Sequence, residues 1–251
     1  MPACPVAVPT IVRVSTLTVA ERFCGPPGTA NGGYLGGRLA AQVDAPAVSV
    51  RLRRPTPLER PLEVRSTGDG VHLLDGDELL VTAAPADLDL AVPAPPSPAE
   101  AAAAQAALPP RVGHPFPRCF GCGPDRAPGD AVAVHVGPLP DRPELWAGIF
   151  RPTAALPSSG GVAAPETVWA ALDCPSFQPI GPLDPAPHLL GTITVRQDSP
   201  VRLDVDHVLL SWVLGREGRR ATTASALIGP EGEVCARAEA IWFAMPPSSR
   251  S

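Results

Sequence analysis

The sequence predicts an α+β protein built from two similar halves, and three observations carry that prediction. A stretch rich in alanine and proline divides the chain at residues 92–110. On either side of it, in residues 1–91 and 111–251, a run of alternating apolar and polar residues stops at a proline. Each run is preceded by a helical candidate and followed by further strand-like runs. A helix followed by antiparallel strands buries its apolar stripe against one face of their sheet.

In the first half, Gly32–Val43 reads as a helix with Asn31 as its N-cap. Val48–Pro55 follows, a strand by its period of two and its β-branched content. Pro61–Ser66 adds a strand, and Asp75-Gly76-Asp77 turns Val71–Leu74 back on Glu78–Ala83. The dividing stretch reads VPAPPSPAEAAAAQAALPP from Val92 to Pro110. It lacks an amphipathic pattern and is read as a linker, in which Pro98–Leu108 forms a short helix capped by Ser97. In the second half, Pro165–Asp173 is the helix, with proline and glutamate suited to its first turn. Leu190–Pro200 and Val201–Leu214 are strands. The last hairpin pairs Arg220–Ile228 with Glu233–Phe243 through the turn Gly229-Pro-Glu-Gly232.

Composition narrows the function classes. Hydrophobic residues make up 45 % of the chain and charged residues 18 %, a folded rather than disordered composition. The net charge of −5 and the scatter of arginines leave no basic stripe, so no nucleic-acid partner is expected. No apolar run approaches the roughly 18 residues of a membrane span, so no membrane association is expected. Met1 to Ile11 carry no basic region ahead of an apolar stretch, as a secretory signal would. The six cysteines are scattered apart from one CxxC, which fits a cytoplasmic protein with reduced thiols.

Four segments carry a family resemblance. Pro26-Pro-Gly-Thr-Ala-Asn-Gly-Gly-Tyr34 and Leu52-Arg-Arg-Pro55 in the first half resemble the actinobacterial-type thioesterase-like hotdog proteins. Phe116-Pro-Arg-Cys-Phe-Gly-Cys-Gly-Pro-Asp-Arg126 and Val168-Trp-Ala-Ala-Leu-Asp-Cys-Pro175 resemble signature stretches of the same group. The resemblance spans roughly Phe23 to Phe243. It implies a tandem (double) hotdog, two sheets packed side by side, each wrapped around a helix, with an acyl-thioester site between the halves. The implied partner is acyl-CoA or a carrier-protein thioester, and the implied activity is thioester hydrolysis. A non-catalytic acyl-CoA binder and a hotdog dehydratase are the alternatives, since the fold hosts all three. Two exposed sheet edges would suit a homodimer.

On that reading Asp173 is the first candidate for the catalytic carboxylate. Val168 to Leu172 surround it with apolar residues, and related thioesterases carry their acid in the central helix. The alternative is a solvated residue ending the helix before Cys174-Pro175. Glu166, two turns earlier on the same face, is the second candidate, or else an ordinary partner of the helix dipole. Asn31, Gly32 and Gly33 stand where many hotdog thioesterases carry His-Gly-Gly. Backbone N–H groups there would polarise a thioester carbonyl, with Asn31 donating from its side chain. The plain alternative is an N-cap followed by glycines that allow close packing. No acid occurs among Tyr34–Val43, so at most one of two pseudo-symmetric sites is expected to work. Arg53 and Arg196 fall at matching places in the two strand repeats, where they would meet a coenzyme A phosphate.

No cofactor is expected. One alternative involves metal: Cys119 and Cys122 with His114 upstream, and Cys174 approaching in space, would complete a tetrahedral zinc site. A redox pair lacks the surrounding βαβ pattern. The plain reading has the two cysteines as small residues in a tight turn.

Overall fold

A computed structural model describes residues 13–109, 114–184 and 186–245. Met1 to Ile11, and the end of the expected linker, lie outside the described residues.

The first half opens with β1 (Val14–Leu17) and then α1 (Gly32–Ala40). Four strands follow: β2 (Ala47–Leu52), β3 (Leu62–Thr67), β4 (Gly70–Asp75) and β5 (Glu78–Pro85). Between the halves lies α2 (Pro98–Ala106). The second half brings β6 (Gly137–Leu139), β7 (Arg142–Phe150), and the small pair β8 (Ser158–Ser159) and β9 (Val162–Ala163). Then come α3 (Pro165–Phe177), β10 (His188–Gln197), β11 (His207–Glu217), β12 (Arg220–Ile228) and β13 (Val234–Ala244).

Eleven strands form one antiparallel sheet in the order β1-β3-β4-β5-β2-β10-β13-β12-β11-β7-β6. The halves meet where β2 pairs with β10, from Arg51 opposite Thr192 to Ala47 opposite Arg196. Thr194 Oγ1 donates to Ser49 Oγ at 3.0 Å across this seam. The α1 and α3 helices pack on one face in opposite directions, since Gly33 meets Asp173 and Gly37 meets Glu166. This is the tandem arrangement of two helix-wrapped sheets.

The two halves differ in how their strands are patterned, and burial explains why. In the first half Leu62, Val64, Val71, Leu73, Val81 and Ala83 point into the core. Arg65, His72, Thr82 and Arg51 oppose one another along the outer face, which gives an alternation broken only where Leu73–Leu74 and Leu80–Val81 are buried together at a register shift. In the second half Val208-Leu-Leu-Ser-Trp212 is buried throughout. Its inner residues face α3, while Val208, Leu210 and Trp212 pack under Leu90 and under Ala101 and Ala104 of α2. The segment between the halves is therefore a strap docked on the outer face, and the buried residues of its helix are the alanines Ala101 and Ala104, which leave no apolar stripe to read.

Ser97 holds the strap's helix. Its Oγ accepts from Glu100 N, and the Glu100 carboxylate accepts from Ser97 N, a reciprocal capping box. Ser97→Ala is expected to cost about 1 kcal/mol, read from the midpoint of urea unfolding. An unchanged midpoint would mean that the docked strap adds nothing to global stability.

Several boundaries differ from the sequence reading. The strand expected from Val201 starts at His207, because residues 201–206 instead form the loop that meets β9. The α1 helix stops at Ala40 rather than Val43. Strands β1, β6 and β7 have no counterpart in the sequence reading; β7 opens with Arg142-Pro-Glu, which hides its apolar alternation. The largest change is in α3, which runs through Pro175 to Phe177. A proline there removes only the N–H that would reach the Ala171 carbonyl. Side chains hold the neighbouring carbonyls: Ser225 Oγ donates to Leu172 O at 2.8 Å, and Ser176 Oγ to Asp173 O at 2.7 Å. Trp242 Nε1 donates to Ser176 Oγ in turn, at 3.0 Å.

Candidate functional site

Because α3 continues, Asp173 sits inside the helix and is only 2 % exposed. Its Oδ2 accepts from Gly33 N at 2.8 Å and from Asn31 Nδ2 at 3.1 Å, both from the other half. Its Oδ1 is buried with no hydrogen-bond partner among the described residues. Burial first, and the neighbouring Cys119 second, push its pKa up to about 7 against the Gly33 and Asn31 bonds.

Asn31 serves two purposes. Its Oδ1 accepts from Tyr34 N at 2.8 Å, capping α1. Its amide group faces Asp173 Oδ2 and, at 3.7 and 3.8 Å, the Cys119 and Cys174 sulfurs. An amide carries two N–H groups, so one serves the carboxylate and the other is shared between the sulfurs. The glycines of α1 set the spacing between the helices. A Cβ on Gly33 would lie 2.6 Å from Asp173 Cβ, and one on Gly37 would lie 2.4 Å from Glu166 Cα. Close packing and donation are thus both present at Gly33, whose N–H is already engaged by the carboxylate.

Behind Asn31 lies the Cys119-Phe-Gly-Cys122 turn. Phe120 is fully buried and packs edge-on against Phe23 and Tyr34, which fastens the turn to α1. The sulfurs of Cys119, Cys122 and Cys174 lie within 4.8 Å of one another. Hydrogen bonds from Cys122 and Cys174, and from the backbone N–H groups of Cys122 and Gly121, hold the Cys119 thiol well below its usual range. The bond to Cys119 pushes the Cys174 thiol up. His114 Nε2 is 3.6 Å from Cys122 Sγ.

A cavity of about 1200 Å³ opens beside this cluster of groups. Beyond the Arg51–Thr192 pair, β2 and β10 stop pairing, while His188–Leu190 remain bonded to β13 alone. The cavity occupies that parting and reaches Gly32 at the start of α1. A Cβ on Gly32 would lie 2.8 Å from Leu52 Cδ1, 2.9 Å from Leu190 Cδ2 and 3.8 Å from Asp173 Oδ2. Leu52 and Leu190, one from each lip, therefore crowd Gly32, the cavity-lining residue that lies next to the carboxylate. Leu189, Phe243 and Met245 make the mouth apolar, and Arg51, Arg53, Arg54 and Arg220 rim it.

The other sequence candidates are placed apart. Glu166 lies at the far end of the helix crossing, 3.9 Å from Arg38 Nε, two turns from Asp173. Arg53 borders the cavity, whereas Arg196 pairs with Ala47 at the opposite end of the seam and bonds Asp198 at 2.6 Å. Matching places in antiparallel strands fall at opposite ends of their seam, so the two arginines cannot share a ligand. The α1 position equivalent to Asp173 is not an acid. Asp173 comes nine residues after the α3 N-cap Ala164, and nine residues after the α1 N-cap Asn31 stands Ala40. The sequence reading missed the parting of the seam and the two leucines at its base. Gly191, inside a strand pattern, is the signal that marks it: the β10–β13 register shifts there.

No family model matches the sequence, and no curated protein does. Solved structures do match. A putative thioesterase from Novosphingobium aromaticivorans is 14 % identical, with 96 % of this chain and 100 % of that one covered at a TM-score of 0.61. An acyl-CoA thioesterase II from Mycobacterium marinum is 16 % identical, with 94 % of each chain covered at 0.55. A protein with the hotdog fold from Alicyclobacillus acidocaldarius is 13 % identical, with 94 % of each covered at 0.54. At these identities the likeness is one of fold, and that fold is the hotdog fold, present here as two helix-wrapped halves. No helix among the described residues is long and apolar enough to cross a membrane.

Proposed function

We propose that the chain hydrolyses acyl thioesters of coenzyme A or of a carrier protein, at one site between its halves. The observation that carries the reading is Asp173, a buried carboxylate held by donors from the opposite half next to a large, mostly apolar cavity. Thioester hydrolysis needs a base or nucleophile, a donor for the carbonyl oxygen and a channel for the acyl group. Asp173 supplies the first through Oδ1, the oxygen without a partner. Gly33 N and Asn31 Nδ2 supply the second once the thioester carbonyl displaces Oδ2 from them. The cavity supplies the third when Leu52 and Leu190 turn aside at Gly32.

The cationic rim fits the phosphates of coenzyme A. Arg54 is paired with Glu78 at 3.1 Å, which leaves Arg51 and Arg53 on the first lip, and Arg53 is the one the sequence repeat singles out. Arg53→Ala is expected to raise KM for acyl-CoA several-fold and leave kcat nearly unchanged, the mark of a contact equal in ground and transition states. An unaltered KM would remove Arg53 from the substrate path.

A second reading has an observation of its own. The donors facing Asp173 are both engaged by it, and the cavity reaches Gly32 but not the carboxylate itself. A protein that only binds an acyl-CoA needs neither to change. Thiol release over short, medium, long and aromatic acyl-CoAs separates the readings. Turnover supports hydrolysis, whereas thermal stabilisation by acyl-CoA without turnover supports the binding protein.

A further inference from the structure

We propose that the chain carries a structural zinc ion bound by Cys119, Cys122, Cys174 and His114. Three thiols already converge, their sulfurs all within 4.8 Å of one another, and His114 Nε2, which approaches Cys122 Sγ, has to turn towards Cys119 and Cys174 to complete the tetrahedron. Zinc with Zn–S near 2.3 Å and Zn–N near 2.0–2.1 Å in a tetrahedron places ligand sulfurs about 3.8 Å apart, and a sulfur and a nitrogen about 3.6 Å apart. Cys119 Sγ and Cys174 Sγ are 3.7 Å apart, and Cys122 Sγ and His114 Nε2 are 3.6 Å apart. A disulfide would need its sulfurs near 2.05 Å. Cys119, Cys122 and Cys174 are 3 %, 7 % and 9 % exposed, so the ion would be enclosed.

The surroundings fit thiolate ligands. The backbone N–H groups of Gly121 and Cys122 point at Cys119 Sγ, and the Asn31 amide faces two of the sulfurs. Such donors offset the charge of bound thiolates and fix their orientation. The turn is shaped for this approach as well. A Cβ on Gly121 would lie 2.5 Å from Cys174 Sγ, and one on Gly123 would lie 2.5 Å from Cys119 N. Binding through Nε2 puts the His114 proton on Nδ1, so the 3.1 Å contact from Phe116 N to Nδ1 is exchanged for the metal bond.

Four protein ligands leave no open position, which makes the ion structural rather than catalytic. Its effect is to join two separate segments, with Asn31 of the first half packed against them. Cys119 and Cys122 come from the loop after the strap, Cys174 follows Asp173 on α3, and Asn31 touches both the sulfurs and the carboxylate. The inference does not depend on thioester hydrolysis; a binding protein would use the same clamp.

The test is metal analysis of the full chain, purified without chelator or immobilised-metal resin and under reducing conditions. About one zinc ion per chain is expected, released as the thiols are titrated with a mercurial. Removing it should lower Tm by about 10 °C or more. Cobalt(II) added to the stripped protein should give the visible bands of a tetrahedral thiolate site. Cys122→Ser should lose the ion, and His114→Cys should keep it, so that failure to fold does not stand in for loss of a ligand. A folded chain with no stoichiometric zinc that also gives no such cobalt spectrum after reduction overturns the proposal. So does a Cys119–Cys174 disulfide whose reduced form takes up neither metal.

Discussion

Asp173→Asn is expected to lower thioester turnover by about 10²–10⁴-fold, the usual contribution of a positioned base, while the fold survives. The carboxamide has the shape of the carboxylate, and its oxygen accepts from Gly33 N and Asn31 Nδ2 as Oδ2 does. Its NH2 then occupies the place of Oδ1, where it has no lone pair to take a proton or attack a carbonyl. A packing role for Asp173 predicts something else: modest loss of stability and little change in kcat. The measurement is kcat/KM on the best acyl-CoA, with the thermal midpoint and zinc content followed alongside. Intact turnover in a folded variant would remove Asp173 from the chemistry. Unchanged zinc content would show that the carboxylate and the thiol cluster, although neighbours, act separately.

Gly37→Ala is expected to destabilise the protein by about 1–3 kcal/mol, against a helix-propensity gain of about 1 kcal/mol. The clash exceeds the gain because of what the new methyl would meet. Its carbon would lie 2.4 Å from Glu166 Cα and 2.6 Å from Glu166 N, which are backbone atoms that no rotamer change can move. The helices must separate, and with them the elements that bring Asn31 to Asp173. A Tm lower by roughly 2–12 °C follows for a chain of this size, at about 2–4 °C per kcal/mol for 150–250 residues. Gly76→Ala is a useful control, since its left-handed backbone is strained but its Cβ would meet nothing within 4 Å. A Gly37→Ala protein as stable as the parent would mean that the α1–α3 contact is looser than the distances imply.

The sequence made the second half of the sheet easy to read where periodicity and turn chemistry agree. Arg220–Ile228 was legible to the residue, because Gly229-Pro-Glu-Gly232 marks its end unambiguously. The end of α3 was not legible, since Pro175 reads locally as a stop and the side chains that hold the neighbouring carbonyls include Ser225 and, through Ser176, Trp242, both far away in the chain. The candidate site divides in the same way. Asn31 and Asp173 were found from their places on helices and from a family resemblance, but their direct bond depends on tertiary packing. The opposition of Arg53 and Arg196 reverses what matched repeats imply, because a repeat in sequence says nothing of the two-fold that relates its copies. Three cysteines converging on one point was a geometric matter, settled by the turn at Gly121 rather than by the CxxC spacing.

The strap over the back of the second half has a consequence for where this protein can be divided. By covalent order, residues 86–109 follow the first half; by buried surface, Leu90, Ala101 and Ala104 belong to the second. A fragment started after the strap would present Val208, Leu210 and Trp212 to water as one apolar patch, a surface that invites association. The strap therefore belongs to the first half by covalent order and to the second by buried surface, while one hydrophobic core runs through both halves.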